Sequence, residues 1–137
     1  MARLKKALID TDILSMYLRG NEKVKSKFEE YLASYFTINI SILSYYEILS
    51  GLKHKNASKQ LESFLELCEI AAIVPITKGS CNKSAEIYAS LKKSGQIIDD
   101  VDILIAGICL EEKFDLVTNT TKHFERIEDI EIVNRSL

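Results

Sequence analysis

Asp10, Glu47 and Asp102 are the residues through which this chain could do chemistry. Asp10 closes the apolar run Ala-Leu-Ile-Asp, Glu47 lies inside ISILSYYEILSGL, and Asp102 lies inside IIDDVDILIAGICL. Each is an acid where burial is expected, near the start of an expected helix. An ionised carboxylate in such surroundings needs a compensating partner. Three of them together would suit a hard divalent cation, whose ligands are oxygens. Each acid also has a plainer reading. Asp10, with Thr11 and Asp12, fits a helix N-cap. Glu47 follows Ser44 by three residues, the spacing of a capping box. Asp102 follows Asp99 by three, and an acid in a first helical turn gains about 0.3–1 kcal/mol from the helix dipole. Asp99 and Asp100 suit solvated or capping roles. The two readings are compatible, because one carboxylate oxygen can cap a helix while the other faces a cation. Close carboxylates repel and raise at least one pKa, a penalty that Mg²⁺ or Mn²⁺ with water-completed oxygen coordination would remove.

The elements that must position these acids alternate in type. Ala7 to Ile9 reads as a short buried strand, followed by a helix from about Ile13 with a break near Gly20-Asn21. Glu22 to Ser34 carries Val24, Phe28, Tyr31 and Leu32 near helical spacing. Tyr35 to Ile40 has the β-branched and aromatic content of a strand. Ile42 to His54 reads as a helix, and Ala57 to Cys68 as another with Leu61, Phe64, Leu65 and Cys68 on one face. Ala72 to Ile76 reads as a strand whose Pro75 suits a sheet edge or a strand end. Thr77 is placed to cap a helix running to about Lys93. Asp99 to Lys113 is apolar nearly all round, hence central, and Cys109 within it reads as core. Leu116 to Thr118 and Glu131 to Val133 complete the strands. Strands alternating with helices predict a parallel α/β sheet covered on both faces. Sites in such sheets form beyond the carboxyl ends of the strands. Asp10, Glu47 and Thr118-Asn119 follow expected strands, whereas Asp102 needs its preceding loop to return it to that edge.

Composition narrows the remaining functions. The chain has 137 residues, 47% of them apolar, which suits one compact core rather than disorder. One proline, five glycines and no repeat predict a single uninterrupted domain over residues 1–137. The net charge of −2 excludes a general polycation, so nucleic-acid binding would need a local basic face or a metal. Lys53, Lys55 and Lys59 with His54, Lys92-Lys93, and Lys122-His123 with Arg126 are candidate patches; otherwise they are solvated faces. Three widely spaced cysteines predict a reduced, intracellular protein. No secretory signal is expected, because Asp10 and Asp12 interrupt the apolar stretch after the basic start. No run approaches a membrane span, so a soluble cytoplasmic protein is expected. With two histidines and no H-x-x-x-H, a zinc site is not expected. Neither a glycine-rich phosphate loop nor a G-x-S-x-G elbow is present.

The segments LIDTDIL, ISILSYYEILSGL, GQIIDDVDILIAGICL and DLVTNTTKHFERI resemble, in order and spacing, the four motif blocks of PIN-domain ribonucleases, especially VapC-type toxins of toxin–antitoxin pairs. The resemblance runs from about Ala7 to the C-terminus. It implies a PIN-like three-layer α/β/α fold with a central parallel sheet of about four to five strands. It also implies Mg²⁺- or Mn²⁺-dependent cleavage of RNA, a cognate antitoxin partner and a homodimer. Asp10, Glu47 and Asp102 match the three family acids. Asp10 and Asp102 would hold the principal metal, with Glu47 on a second metal or on the attacking water. Thr11 and Thr118 would orient carboxylates or a phosphate. The fourth polar position falls in Thr118-Asn119-Thr120, and Thr120 stands where the family has Asp or Asn. Asp12 is a second departure, since these toxins commonly carry Asn there. Lys53, Lys55, Lys59, Lys122 and Arg126 are candidates for RNA contact. Tyr45, Leu49 and Leu61 are candidates for a dimer surface. Two other readings stay open: a non-catalytic PIN-like module that binds RNA or a partner, and a phosphatase. Asp10-Thr11-Asp12 fits the D-x-D start of haloacid dehalogenase-like phosphatases, but Ile13-Leu14 follow where those have Gly-Thr.

Overall fold

The computed structural model describes residues 6–35, 37–96, 98–127 and 132–133. Within them lie the strands β1 (Ala7–Ile9), β2 (Asn39–Ser41), β3 (Ala72–Val74), β4 (Asp115–Val117) and β5 (Ile132–Val133). They form one sheet in the order β3-β2-β1-β4-β5, with every neighbouring pair parallel. The central β1 sets Ile9 beside Ile40 on one side and beside Val117 on the other. The helices are α1 (Thr11–Leu18), α2 (Glu22–Tyr35), α3 (Ile42–His54), α4 (Ser58–Ile70), α5 (Lys78–Lys93), α6 (Asp100–Glu112) and α7 (Thr121–Phe124).

Strand side chains alternate between faces, and that alternation divides the core in two. Ala7, Ile9 and Val117 join Ile13, Leu14, Phe28, Ile48 and Phe64 in one buried cluster, under α1 to α4. Leu8 and Leu116 join Ile87, Ile103, Ile105, Ile108 and Phe124 in the other, under α5 to α7. The result is the expected three-layer α/β/α arrangement. Cys109 is core, as its apolar surroundings suggest. Thr77 caps α5 through a capping box with Ser80. β3 is an edge strand, and Pro75 lies just past its end. No helix among the described residues is long and apolar enough to cross a membrane.

Several boundaries differ from those the sequence suggests. Tyr35 ends α2 rather than opening a strand, and β2 begins at Asn39. The helical spacing of Val24, Phe28 and Tyr31 prevails over local β propensity, because all three are buried. The Tyr31 hydroxyl also accepts a hydrogen bond from the Ala7 N–H (2.7 Å), which pins α2 to β1. Leu65 is exposed; α4 buries Phe64 and Leu67 instead. Tyr45, Leu49 and Leu61, candidates for a dimer surface, are partly buried and pack against the first core cluster. The helix α7 gives no periodic signal, being four residues long. Of the last expected strand, Glu131 lies outside the described residues, as does most of the basic start.

The helix that carries Asp102 is fixed by close packing. Ser84 Oγ donates to the Ile103 carbonyl (3.1 Å), tying the first turn of α6 to α5. A Cβ at Gly107 would collide with Ser84 Oγ and stand 2.6 Å from the Ser80 carbonyl oxygen. A Cβ at Gly51 of α3 would meet nothing within 4 Å. Gly107→Ala should therefore lose about 1–3 kcal/mol in urea denaturation. Gly51→Ala should gain about 0.5–1 kcal/mol by restricting the unfolded chain. Equal effects at both positions would contradict this packing.

Candidate active site

The chain extends the sheet outward from β1 through β2 to β3, then returns to place β4 on the opposite side of β1. Parallel sheets open a crevice beyond the strand carboxyl ends at such a reversal. The residues flanking it are Asp10, after β1, and Thr118, after β4. The Asp10 N–H continues the pairing by donating to the Val117 carbonyl (2.9 Å).

Asp10 is the buried acid of the group, 5% exposed. It caps α1, accepting from the Thr11 N–H on Oδ1 (2.8 Å), while Oδ2 accepts from the Thr118 hydroxyl (2.8 Å). Burial, and next the charge of Asp12, push its pKa up to about 6. The two hydrogen bonds work against that rise, and the charge of Asp102 adds to it. The capping reading of Asp10 is therefore correct, and it leaves the residue in the crevice.

Asp12 uses both oxygens as acceptors, from the Ile13 N–H (2.8 Å) and from the Asn119 N–H (2.8 Å). It ties the segment after β4 to α1. Thr120 donates its backbone N–H to Thr118 Oγ1 (3.0 Å), and its own hydroxyl is 3.0 Å from the same atom. The single Thr118 proton serves the charged acceptor Asp10, so Thr120 supports Thr118 from behind. Asn119 reaches this network through its backbone.

Glu47 corrects two expectations. It is exposed rather than buried. It is also not part of a cap: Ser41 caps α3 by accepting from the Ser44 N–H (3.0 Å), so Glu47 lies beyond the first turn. Its Oε1 is 2.6 Å from Thr11 Oγ1, which is also 2.9 Å from Ser44 Oγ. Thr11 has one hydroxyl proton, and the carboxylate is the stronger acceptor. Thr11 therefore donates to Glu47.

Asp102 lies in the first turn of α6, half-buried, with Oδ2 2.9 Å from His123 Nδ1. Asp99 is the N-cap residue and makes no side-chain capping bond. Burial raises the Asp102 pKa; His123 opposes the rise, and the charges of Asp99 and Glu47 add to it. The loop before α6 thus returns Asp102 to the edge that holds Asp10 and Glu47. His123 is the site residue that sequence reasoning passed over, having grouped it with Lys122 as surface charge. Its separation of 21 residues from Asp102 has no recognisable spacing.

Among the described residues, no three of His, Cys, Asp and Glu converge closely enough to hold a metal ion by themselves. The donor chemistry nevertheless suits a hard cation. The groups are carboxylates and hydroxyls, and no described lysine or arginine pairs with Asp10, Asp12 or Glu47. Of the basic candidates, Lys55 shares a cleft with Thr11 and Glu47, while Arg126 borders a separate one with Lys83 and Glu86. Lys53, Lys59 and Lys122 are exposed.

Known proteins share this fold. The sequence profile of the PIN domain matches residues 7–130. Ribonuclease VapC1 of Methanocaldococcus jannaschii is 33% identical over 129 residues, which span 90% of this chain and 82% of that protein. The crystal structure of VapBC2 from Rickettsia felis bound to a promoter DNA fragment matches with a TM-score of 0.81 at 26% identity, over 93% of this chain and 97% of that one. A toxin–antitoxin complex from Klebsiella pneumoniae shares the fold, with a TM-score of 0.73 at 21% identity over 95% and 98% of the two chains. The chain belongs to the PIN-domain family and, within it, to the VapC ribonucleases.

Two measurements test the electrostatics of this site. Folded Asp10 keeps its proton up to about pH 6, whereas its ordinary pKa is 3.8. Folding therefore takes up a proton between these values, so the Asp10 contribution to stability is complete below about pH 4 and is lost as pH rises through 6. Relative to Asp10→Asn, the metal-free parent should lose on the order of 3 kcal/mol across that window; parallel stability curves would refute the shift. Asp12→Asn removes a neighbouring charge and sets an amide donor against either the Ile13 or the Asn119 N–H. It should lower the Asp10 titration midpoint in carboxyl NMR and cost about 1 kcal/mol of stability.

Proposed function

We propose that this chain is an endoribonuclease that hydrolyses RNA phosphodiester bonds with Mg²⁺ or Mn²⁺. In this reading it is the toxin of a toxin–antitoxin pair, is inhibited by a cognate antitoxin and assembles as a homodimer. The observation that carries the reading is Asp10: a buried carboxylate at the sheet reversal, coupled in charge to Asp12 and Asp102 and oriented by Thr118. The VapC1 relative is named a ribonuclease, and VapBC2 supports an antitoxin partner.

Asp10 and Asp102 are the residues that would hold the cation. Convergence of three acids is not required, because Mg²⁺ keeps several waters and is commonly held by one or two carboxylates plus substrate phosphate. Bound there, it would supply charge for the in-line displacement at phosphorus and acidify the attacking water. Thr118 and His123 each donate a hydrogen bond or hold an ion pair that fixes one carboxylate. Glu47, oriented by Thr11, would take a proton from the attacking water as its oxygen bonds to phosphorus; the bond from phosphorus to the ribose oxygen breaks, and that oxygen takes a proton from solvent. No protein nucleophile is needed. The PIN-domain match over residues 7–130 leaves the phosphatase reading of Asp10-Thr11-Asp12 without support. Burial pushes the Cys109 thiol pKa up, keeping it protonated and inert.

Asp10→Asn, Glu47→Gln and Asp102→Asn keep volume and lose charge. Each should reduce RNA cleavage by on the order of 10²-fold or more. Chelation should abolish cleavage and Mg²⁺ or Mn²⁺ should restore it. Parent-like cleavage by all three variants would sink the reading. RNA binding without cleavage by the parent would favour the non-catalytic module.

A further inference from the structure

A cleft of about 360 Å³ runs away from the carboxylate edge between α1 and α3, with the start of α4 as its third wall. That volume falls at the lower end of small-molecule sites, which begin near about 300 Å³. Each of the two long walls is one stripe of a helix. Thr11, Ser15 and Arg19 follow one another along α1, and Glu47, Gly51 and Lys55 along α3, at four-residue steps. Both stripes begin at the hydrogen-bonded Thr11–Glu47 pair and end on a cation, Arg19 at the C-cap of α1 and Lys55 at the C-cap of α3. Neither cation forms an ion pair with a described residue. The floor between them is apolar, with Ile48 and Leu52 buried. Gln60 supplies an uncharged donor and acceptor from α4. Gly51 keeps the α3 wall open, since nothing lies within 4 Å of where its Cβ would be.

We propose that this cleft is a nucleotide subsite, which receives the RNA residue next to the scissile phosphate. Arg19 and Lys55 take neighbouring backbone phosphates, and the apolar floor carries the base or ribose. The inference rests on the ribonuclease reading above. Charge and continuity select the occupant. Eight residues of helix separate Glu47 from Lys55, a rise of about 12 Å. The cations are therefore too far away to act on the scissile phosphate, but they stand where an extended strand leaving the carboxylates would continue. An RNA backbone is an anion that supplies several phosphates in a row, and Arg is suited to bidentate phosphate contact. Gln60 can hydrogen-bond a base edge, which makes it the residue through which this cleft would select sequence.

The test uses a short fluorescein-labelled single-stranded RNA and the full chain carrying Arg19→Gln, Lys55→Gln or Gly51→Leu. In Mg²⁺, the two charge variants should each raise KM by about 3- to 10-fold with kcat within twofold. Binding is measured separately in an Asp10→Asn background, so that the RNA stays intact. There each charge variant should flatten the plot of log affinity against log salt by about 0.7, the contribution of one single-strand phosphate contact. Gly51→Leu fills the cleft and should weaken binding more than tenfold without lowering the melting temperature. If the parent cleaves and all three variants match it in KM and salt slope, the subsite is refuted and the ribonuclease reading stands. If the variants escape inhibition by the antitoxin but handle RNA as the parent does, the cleft belongs to a protein partner and the proposal is overturned. If the parent neither binds nor cleaves RNA, the ribonuclease reading fails and the subsite with it.

Discussion

The Thr118 hydroxyl donates to Asp10 across the carboxyl ends of two neighbouring strands. These residues are 108 positions apart, and they meet because β4 pairs with β1 instead of extending the sheet beyond β3. The contact joins the two halves of the molecule at the point where chain direction across the sheet reverses. It also fixes which way the buried acid faces. Asp12, Asn119 and Thr120 are arranged around the same junction. A change in the register of β4 would move Thr118 away and leave Asp10 buried with one fewer donor, a costly state for a carboxylate.

The acids do not share one environment. Asp10 is buried and held by two neutral donors, so its charge is poorly compensated. Asp102 is half-buried and has a histidine. Glu47 is exposed and accepts from the Thr11 hydroxyl. Three carboxylates with three different degrees of exposure suit three different tasks better than three equivalent ligands would. The acid most strained by burial gains most from a cation, while the exposed one remains free to exchange protons with water.

Much of the architecture was legible because the apolar runs are clean. Ala7 to Ile9, the all-round apolar α6, and Pro75 at a strand end all read directly. Failures came where tertiary contacts overrode local pattern. Tyr35 looked like strand until burial of Val24, Phe28 and Tyr31 carried α2 through it. Ser41 falls between the expected strand and the expected helix, and its role as the α3 cap went unread, which made Ser44 and Glu47 resemble a capping box. The acids themselves were found by type and position, but their partners were not all found. Thr11 and Thr118 stood next to recognised motifs. His123 did not, since α7 is too short to show periodicity and its contact with Asp102 depends on where two loops end.

The sheet order has a consequence for the timing of synthesis. A ribosome delivers β1, β2 and β3 first, and these are consecutive neighbours that can pair as they emerge. β4 comes last among the strands that border the crevice, after α6 has delivered Asp102. A nascent chain can therefore build half of the sheet while Asp10 still lacks Thr118 and Asp102 still lacks His123. Topology thus leaves the carboxylate cluster incomplete on the growing polypeptide until β4 and α7 have emerged.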